Sequence, residues 1–157
     1  MNQGKYVIAV MLLIGVVAAG ISLWHHSNVS RLALEYWGQN RAKQILRAPE
    51  VIAVRFPSGS STDQQTEERD ASNSRGLVNI RQALVQDAAY DWQSVQPAGD
   101  EVWQYALRFE GDDPTVIVLL SFSDGRICWQ GADRSIALDD ASARVLRAFV
   151  EEQFADE

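Results

Sequence analysis

Tyr6 to Trp24 (YVIAVMLLIGVVAAGISLW) is an unbroken run without a charged side chain, and it constrains the chain more than any other feature. A bilayer core of about 30 Å is crossed by roughly 20 apolar residues rising about 1.5 Å each. The run therefore predicts a transmembrane helix over 6–24, and the short tail 1–5, with Lys5, predicts a signal anchor. Tyr6 and Trp24 close its two ends, where amphipathic rings settle at a membrane interface. A cleaved secretion signal is the main alternative, because Ala18-Ala19-Gly20 offers small residues for cleavage. Against it, apolar character continues through Ile21, Leu23 and Trp24, past the roughly 7 to 15 residues of a signal core. A buried core helix is the third option and would usually interleave polar positions.

Topology is read from the flanking charges. Arg31, Arg41 and Lys43 lie after the run and only Lys5 precedes it, so counting alone points to a cytoplasmic domain. The later charges lie on a predicted helix of the folded domain, however, and a short tail with an immediate span is the signal-anchor layout that exports the C-terminal domain. The expectation is a single-pass membrane protein whose domain, residues 25–157, is extracytoplasmic. Membrane lipid would then be a partner through residues 6–24. Gly15 and Ala19 have the spacing of small-residue helix packing, which makes a homodimer a candidate.

Charge limits the other partners. Of the 14 Lys and Arg only Lys5 precedes residue 25, whereas all 21 Asp and Glu come after it, so the domain is strongly acidic. Nucleic acid is excluded as a partner, since affinity for it comes mainly from cations that displace counterions from phosphates. Roughly 130 residues suffice for one domain with a real core.

Periodicity outlines an α+β domain. Leu34, Trp37, Ile45 and Ala48 predict a helix over about 28–48, weakened at Gly38 and stopped by Pro49. Residues 51–56 alternate as a strand. Residues 57–75 (PSGSSTDQQTEERDASNSR) hold no large apolar side chain and predict a mobile polar loop, a tolerated insertion or a partner contact. Leu77, Ile80, Leu84 and Ala88 predict a second helix, and residues 96–100 a turn. Trp103, Tyr105, Leu107 and Phe109 mark one face of a strand, and residues 115–122 are aliphatic enough for a central one. Asp124-Gly125 signals a two-residue hairpin that pairs Phe122 with Ile127, Leu120 with Trp129 and Ser121 with Cys128. Residues 135–138 suggest an edge segment, and 139–154 a last helix burying Val145, Leu146, Phe149 and Val150. The expected fold is α+β: an N-terminal transmembrane helix, then a small antiparallel sheet of about four strands packed with about three helices.

Chemistry is defined mostly by which residue types the domain lacks. Its two histidines, His25 and His26, adjoin the apolar run, so the folded part holds no imidazole for nucleophile activation or for the usual zinc and haem ligand sets. The one cysteine, Cys128, cannot form an intramolecular disulfide and reads as a small buried filler. Asp112 with Asp113 and Asp139 with Asp140 are the close carboxylate pairs, in positions where turns and helix starts recruit Asp anyway. Asp87, Asp91, Arg81 and Arg108 are a candidate charged cluster. No catalytic, cofactor-binding or metal-ligating residue is assigned, and no cofactor is expected. Trp37 and Trp92 are the candidate partner contacts, on the condition that they are exposed together. The expected function is binding or scaffolding of a partner at the membrane surface without enzymatic activity. The alternatives are a membrane-tethered hydrolase or transferase that uses carboxylates, and a secreted binding module released after Gly20.

Overall fold

A computed structural model describes residues 29–57, 66–99 and 101–155. The tail, the apolar run with Tyr6 and Trp24, and His25 and His26 lie outside the described residues. Within them the longest helix, Asp140–Gln153, has 14 residues, and no helix is long and apolar enough to cross a membrane. At about 1.5 Å per residue that helix reaches roughly 21 Å, short of a bilayer core. The expected transmembrane helix is accordingly not among the described elements, and residues 6–24 lie outside them. The single-pass membrane localisation and the extracytoplasmic placement drawn from it are withdrawn with it.

The sheet is also larger than expected. Among the described residues it has seven antiparallel strands, not about four, and four helices, not about three. In chain order these are α1 (Arg31–Trp37), α2 (Gln39–Arg47), β1 (Glu50–Arg55), β2 (Glu67–Asp70), α3 (Leu77–Leu84), β3 (Tyr90–Pro97), β4 (Tyr105–Glu110), β5 (Val116–Ser121), β6 (Arg126–Trp129), β7 (Arg134–Leu138) and α4 (Asp140–Gln153). The spatial order is β2-β1-β4-β5-β6-β7-β3. The aliphatic β5 is therefore the central strand, as its composition implies, while residues 134–138 are an interior strand with β3 outside them.

Local chemistry accounts for the element boundaries. The first predicted helix is two helices, because Gly38 adopts φ +76°, a conformation that interrupts a right-handed helix and that L side chains rarely adopt. The Arg81 guanidinium donates to the carbonyls of Leu46 (3.1 Å) and Ala48 (2.6 Å), satisfying the C-terminal end of α2. The Asp139 carboxylate accepts from the amides of Ala141 (3.0 Å) and Ser142 (3.3 Å), capping α4. Strand β2 has no hydrophobic signal, since its sequence is Glu-Glu-Arg-Asp; cross-strand ion pairs of Arg55 with Glu67 and Arg108 with Glu68 accompany its pairing with β1.

One face of the sheet carries the core. Val51, Ala53, Leu107, Phe109, Val118, Leu120, Ile127 and Ile136 form a single buried cluster with residues of all four helices, among them Trp37, Ile45, Ile80, Leu84, Leu146 and Phe149. Val145, expected in this core, is 55% exposed. At β5–β6 the register is Leu120 with Ile127, Val118 with Trp129, Leu119 with Cys128 and Ser121 with Arg126, two residues from the expected one. Asp124 does not take the positive φ that a type I′ turn requires; only Gly125 does, at +64°. Residues 122–125 form a longer turn, in which Phe122 stays buried and the Gln104 Oε1 accepts from the amides of Phe122 (2.8 Å) and Ser123 (3.2 Å). A slip of two preserves side-chain alternation, so each residue keeps the face assigned to it.

Candidate functional site

The face opposite the helices is organised by the connection from β3 to β4. Strand β3 lies at the edge beside β7, and β4 lies beyond β5, so the intervening residues must pass β7, β6 and β5. They do so across the helix-free face. The Glu101 side chain, 4% exposed, receives a hydrogen bond from the Ser135 hydroxyl, accepts from the Gly99 amide (2.9 Å) and lies 3.5 Å from the Arg126 Nε. Arg126 in turn donates to the Ser135 Oγ (2.9 Å) and to the carbonyls of Ser94 (2.7 Å) and Ser135 (2.9 Å). Burial pushes the Glu101 carboxyl up, but the hydrogen bonds from Ser135 and from backbone amides outweigh it, so the group is held below the ordinary glutamate range. The result is an ionised latch that fastens the connection to the sheet.

Beside this latch is a cleft of about 480 Å³ lined by Gln96, Pro97, Gly99, Glu101, Asp124 and Arg126. It brings two carboxylates and a guanidinium to one place, as a carboxylate enzyme would require. Their protein partners argue for a structural use. Each Glu101 oxygen already accepts a hydrogen bond, and the Asp124 Oδ2 accepts from the hydroxyl of Ser121 (2.5 Å) inside the turn. A glutamate with a depressed pKa is a poor proton donor near neutrality. Cys128 lies under the same connection, 3% exposed, with its thiol pushed up to about 12 by burial and by the Glu101 charge.

The connection covers only part of the face. Cys128, Ser135 and Arg126 on β6 and β7 are buried, and toward β1 buried and half-buried side chains alternate. Register places Asp70, Ile52, Arg108 and Ile117 in one row across β2, β1, β4 and β5, and Glu68, Val54, Ala106 and Leu119 in the next. Ile52, Ile117 and Leu119 are half-buried, whereas Val54 and Ala106 are closely enclosed. Glu50 and Glu110 are paired at one end of these rows. Four carboxylates thus surround one guanidinium: Arg108 holds Glu68 through two hydrogen bonds (2.8 and 3.0 Å) and also pairs with Glu110. Hydrogen bonds from Arg108 hold the Glu68 carboxyl below its usual range, and those from Ser72 do the same for Asp70.

The residues singled out from sequence fall elsewhere. Trp37 is fully buried, donating from Nε1 to the Tyr90 hydroxyl (3.0 Å), so it has no surface to offer a partner. Trp92 is half-buried, donates to the Asp87 carbonyl (2.8 Å) and lines a groove of about 140 Å³ with Leu32, Tyr36 and Val95. The two rings are not exposed together. Asp113 meets Lys43 at the surface (3.3 Å), Asp139 is a helix cap, and Asp87 accepts from the Ala33 amide (2.7 Å). Arg81 and Arg108 serve separate elements, so the expected Asp87–Asp91–Arg81–Arg108 cluster is not assembled. Among the described residues no group of three His, Cys, Asp or Glu is placed to hold a metal ion. Neither Glu101 nor the Ile52–Ile117–Leu119 surface is signalled by the sequence alone, because both depend on where the connection crosses the sheet. No protein-family model, curated protein or solved structure matches this chain.

Proposed function

We propose that this chain is a binding or scaffolding domain that works through its sheet and has no chemistry of its own. The half-buried apolar residues on the helix-free face carry this reading. An antiparallel sheet can leave one face to water, and then that face normally alternates to polar residues. Here the rows at β1, β4 and β5 hold half-buried Ile52, Ile117 and Leu119 beside charged neighbours, which supports a surface that receives a partner.

The competing carboxylate-enzyme reading has the Glu101–Asp124–Arg126 cleft as its candidate site. Its acidic groups are engaged by Ser135, Gly99 and Ser121, and Arg126 by Ser94 and Ser135, so the arrangement is better suited to holding the connection than to moving protons.

A photo-crosslinking amino acid placed at Ile117 or at Val145 of the full chain, in its native cells, tests the reading. A discrete adduct with another macromolecule from position 117 and none from 145 is the expected result. Equal labelling from both positions, or none from 117, would refute it.

A further inference from the structure

Building on that reading, we infer that the half-buried strip of the helix-free face, which no helix covers among the described residues, docks a basic amphipathic helix of a partner protein, its apolar stripe on Ile52, Ile117 and Leu119 and its cations against Glu50, Glu68, Asp70 and Glu110.

Dimensions, polarity and charge each point to this occupant. Strands β1, β4 and β5 are adjacent, and at about 4.8 Å between neighbours they span roughly 10 Å, the diameter of one helix. The strip is bounded on one side by the connection latched through Glu101 and on the other by the charged edge strand β2, so one helix fits and a second layer of several does not. Its length is set by strands of six residues, roughly 20 Å, which about 13 helical residues cover. The same sheet already receives helices on its other face through aliphatic side chains, so the packing mode is one these strands support.

Charge selects the helix. Arg108 offsets one of the four surrounding carboxylates, leaving an excess of negative charge around an apolar strip. A helix bearing Lys or Arg beside its apolar stripe places cations over that rim. An acidic helix meets like charges there, which costs both affinity and association rate. A second copy of this acidic domain is disfavoured for the same reason.

The test is a titration of the full chain, isotopically labelled, with a synthetic 14-residue helix of Leu, Ala and Lys carrying Leu at positions i, i+3, i+4 and i+7. A counterpart with every Lys replaced by Glu serves as control. The Lys peptide is expected to shift the backbone amides of β1, β4 and β5 and to bind at least about tenfold more tightly than the Glu peptide, the equivalent of about 1.4 kcal/mol. Isosteric neutralisation by Glu50→Gln and Asp70→Asn together, which keeps the Arg108–Glu68 pair, is expected to remove much of that preference while leaving the unfolding midpoint near that of the parent. Equal affinity for the two peptides, or no binding of either, would overturn the basic-helix assignment. Shifts confined to the Leu32–Trp92–Val95 groove would overturn the choice of face. In each of these cases a specific adduct from Ile117 in cells would still stand for a binding domain, so the two proposals fail separately.

Discussion

Replacing Glu101 by Gln removes one charge from the latch and preserves its shape. Glu101 and Arg126 are 4% and 10% exposed at the side chain and lie 3.5 Å apart, so the substitution leaves a buried guanidinium facing neutral acceptors only. Breaking a buried pair from one side costs about 3–5 kcal/mol. The low end applies here, because Arg126 keeps the Ser135 hydroxyl and the carbonyls of Ser94 and Ser135. A loss of about 3 kcal/mol at about 4 °C per kcal/mol gives a fall in Tm of about 12 °C. Combining Glu101→Gln with Arg126→Met is expected to cost less than the sum of the two single changes, since the charge left without its partner is removed while the Ser94 and Ser135 carbonyls lose their donor. The sign of the pH dependence is set by the depressed carboxyl. Its contribution is complete above the unfolded glutamate value, near 4.3, and is lost as pH falls through the lower folded value. Urea unfolding between about pH 5 and 3 should therefore be less steep in pH for the variant than for the parent. A variant within about 0.5 kcal/mol of the parent at pH 7, with the same acid slope, would refute the latch.

Further outcomes are expected elsewhere. Gly38→Ala places a side chain at φ +76° and should cost about 1–2 kcal/mol, read from the urea midpoint; an unchanged midpoint would show that the α1–α2 break does not need glycine. Trp37→Ala should cost about 3–5 kcal/mol by opening a cavity beside Tyr90 and Trp129, and a loss under about 1 kcal/mol would contradict its place in the core. Asp139→Ala should cost about 1 kcal/mol through the α4 cap, with circular dichroism at the helix minimum as the readout alongside stability. Cys128 should resist a thiol reagent at pH 8 in the native chain and react at once in denaturant; rapid native labelling would show that the connection does not cover it.

The parts of the fold legible in the sequence are those written in hydrophobic period or backbone chemistry. The aliphatic run at 115–122 marks the centre of the sheet, Tyr105, Leu107 and Phe109 share the core face as their spacing implies while Trp103 precedes β4 and is not in the core cluster, and Pro49 and Asp139 bound helices through mechanisms visible in the residues themselves. The hidden parts depend on long-range partners. Strand β2 is held by charges from β1 and β4, so a local scan for apolar alternation passes over it. Strand β3 breaks its register with β7 between Asp91 and Gln96, and the bulge erases the period-two pattern. The β5–β6 hairpin slips by two because Gln104, distant in sequence, binds the turn amides and keeps Phe122 inside it. The candidate surface is illegible for the same reason. Ile52, Ile117 and Leu119 read as ordinary strand residues until register places them together on the helix-free face, beside the Cys128 and Ser135 that are buried there.

The central claim is that the surface around Ile117 is used for binding and is not required for folding. Ile117→Asp in the full chain separates the two, because the side chain is half-buried at a position outside the main core. The expected result is an unfolding midpoint close to that of the parent together with loss of the photo-adduct formed from a crosslinker at Leu119. A folded Ile117→Asp chain that still captures the same macromolecule from position 119 would contradict the claim.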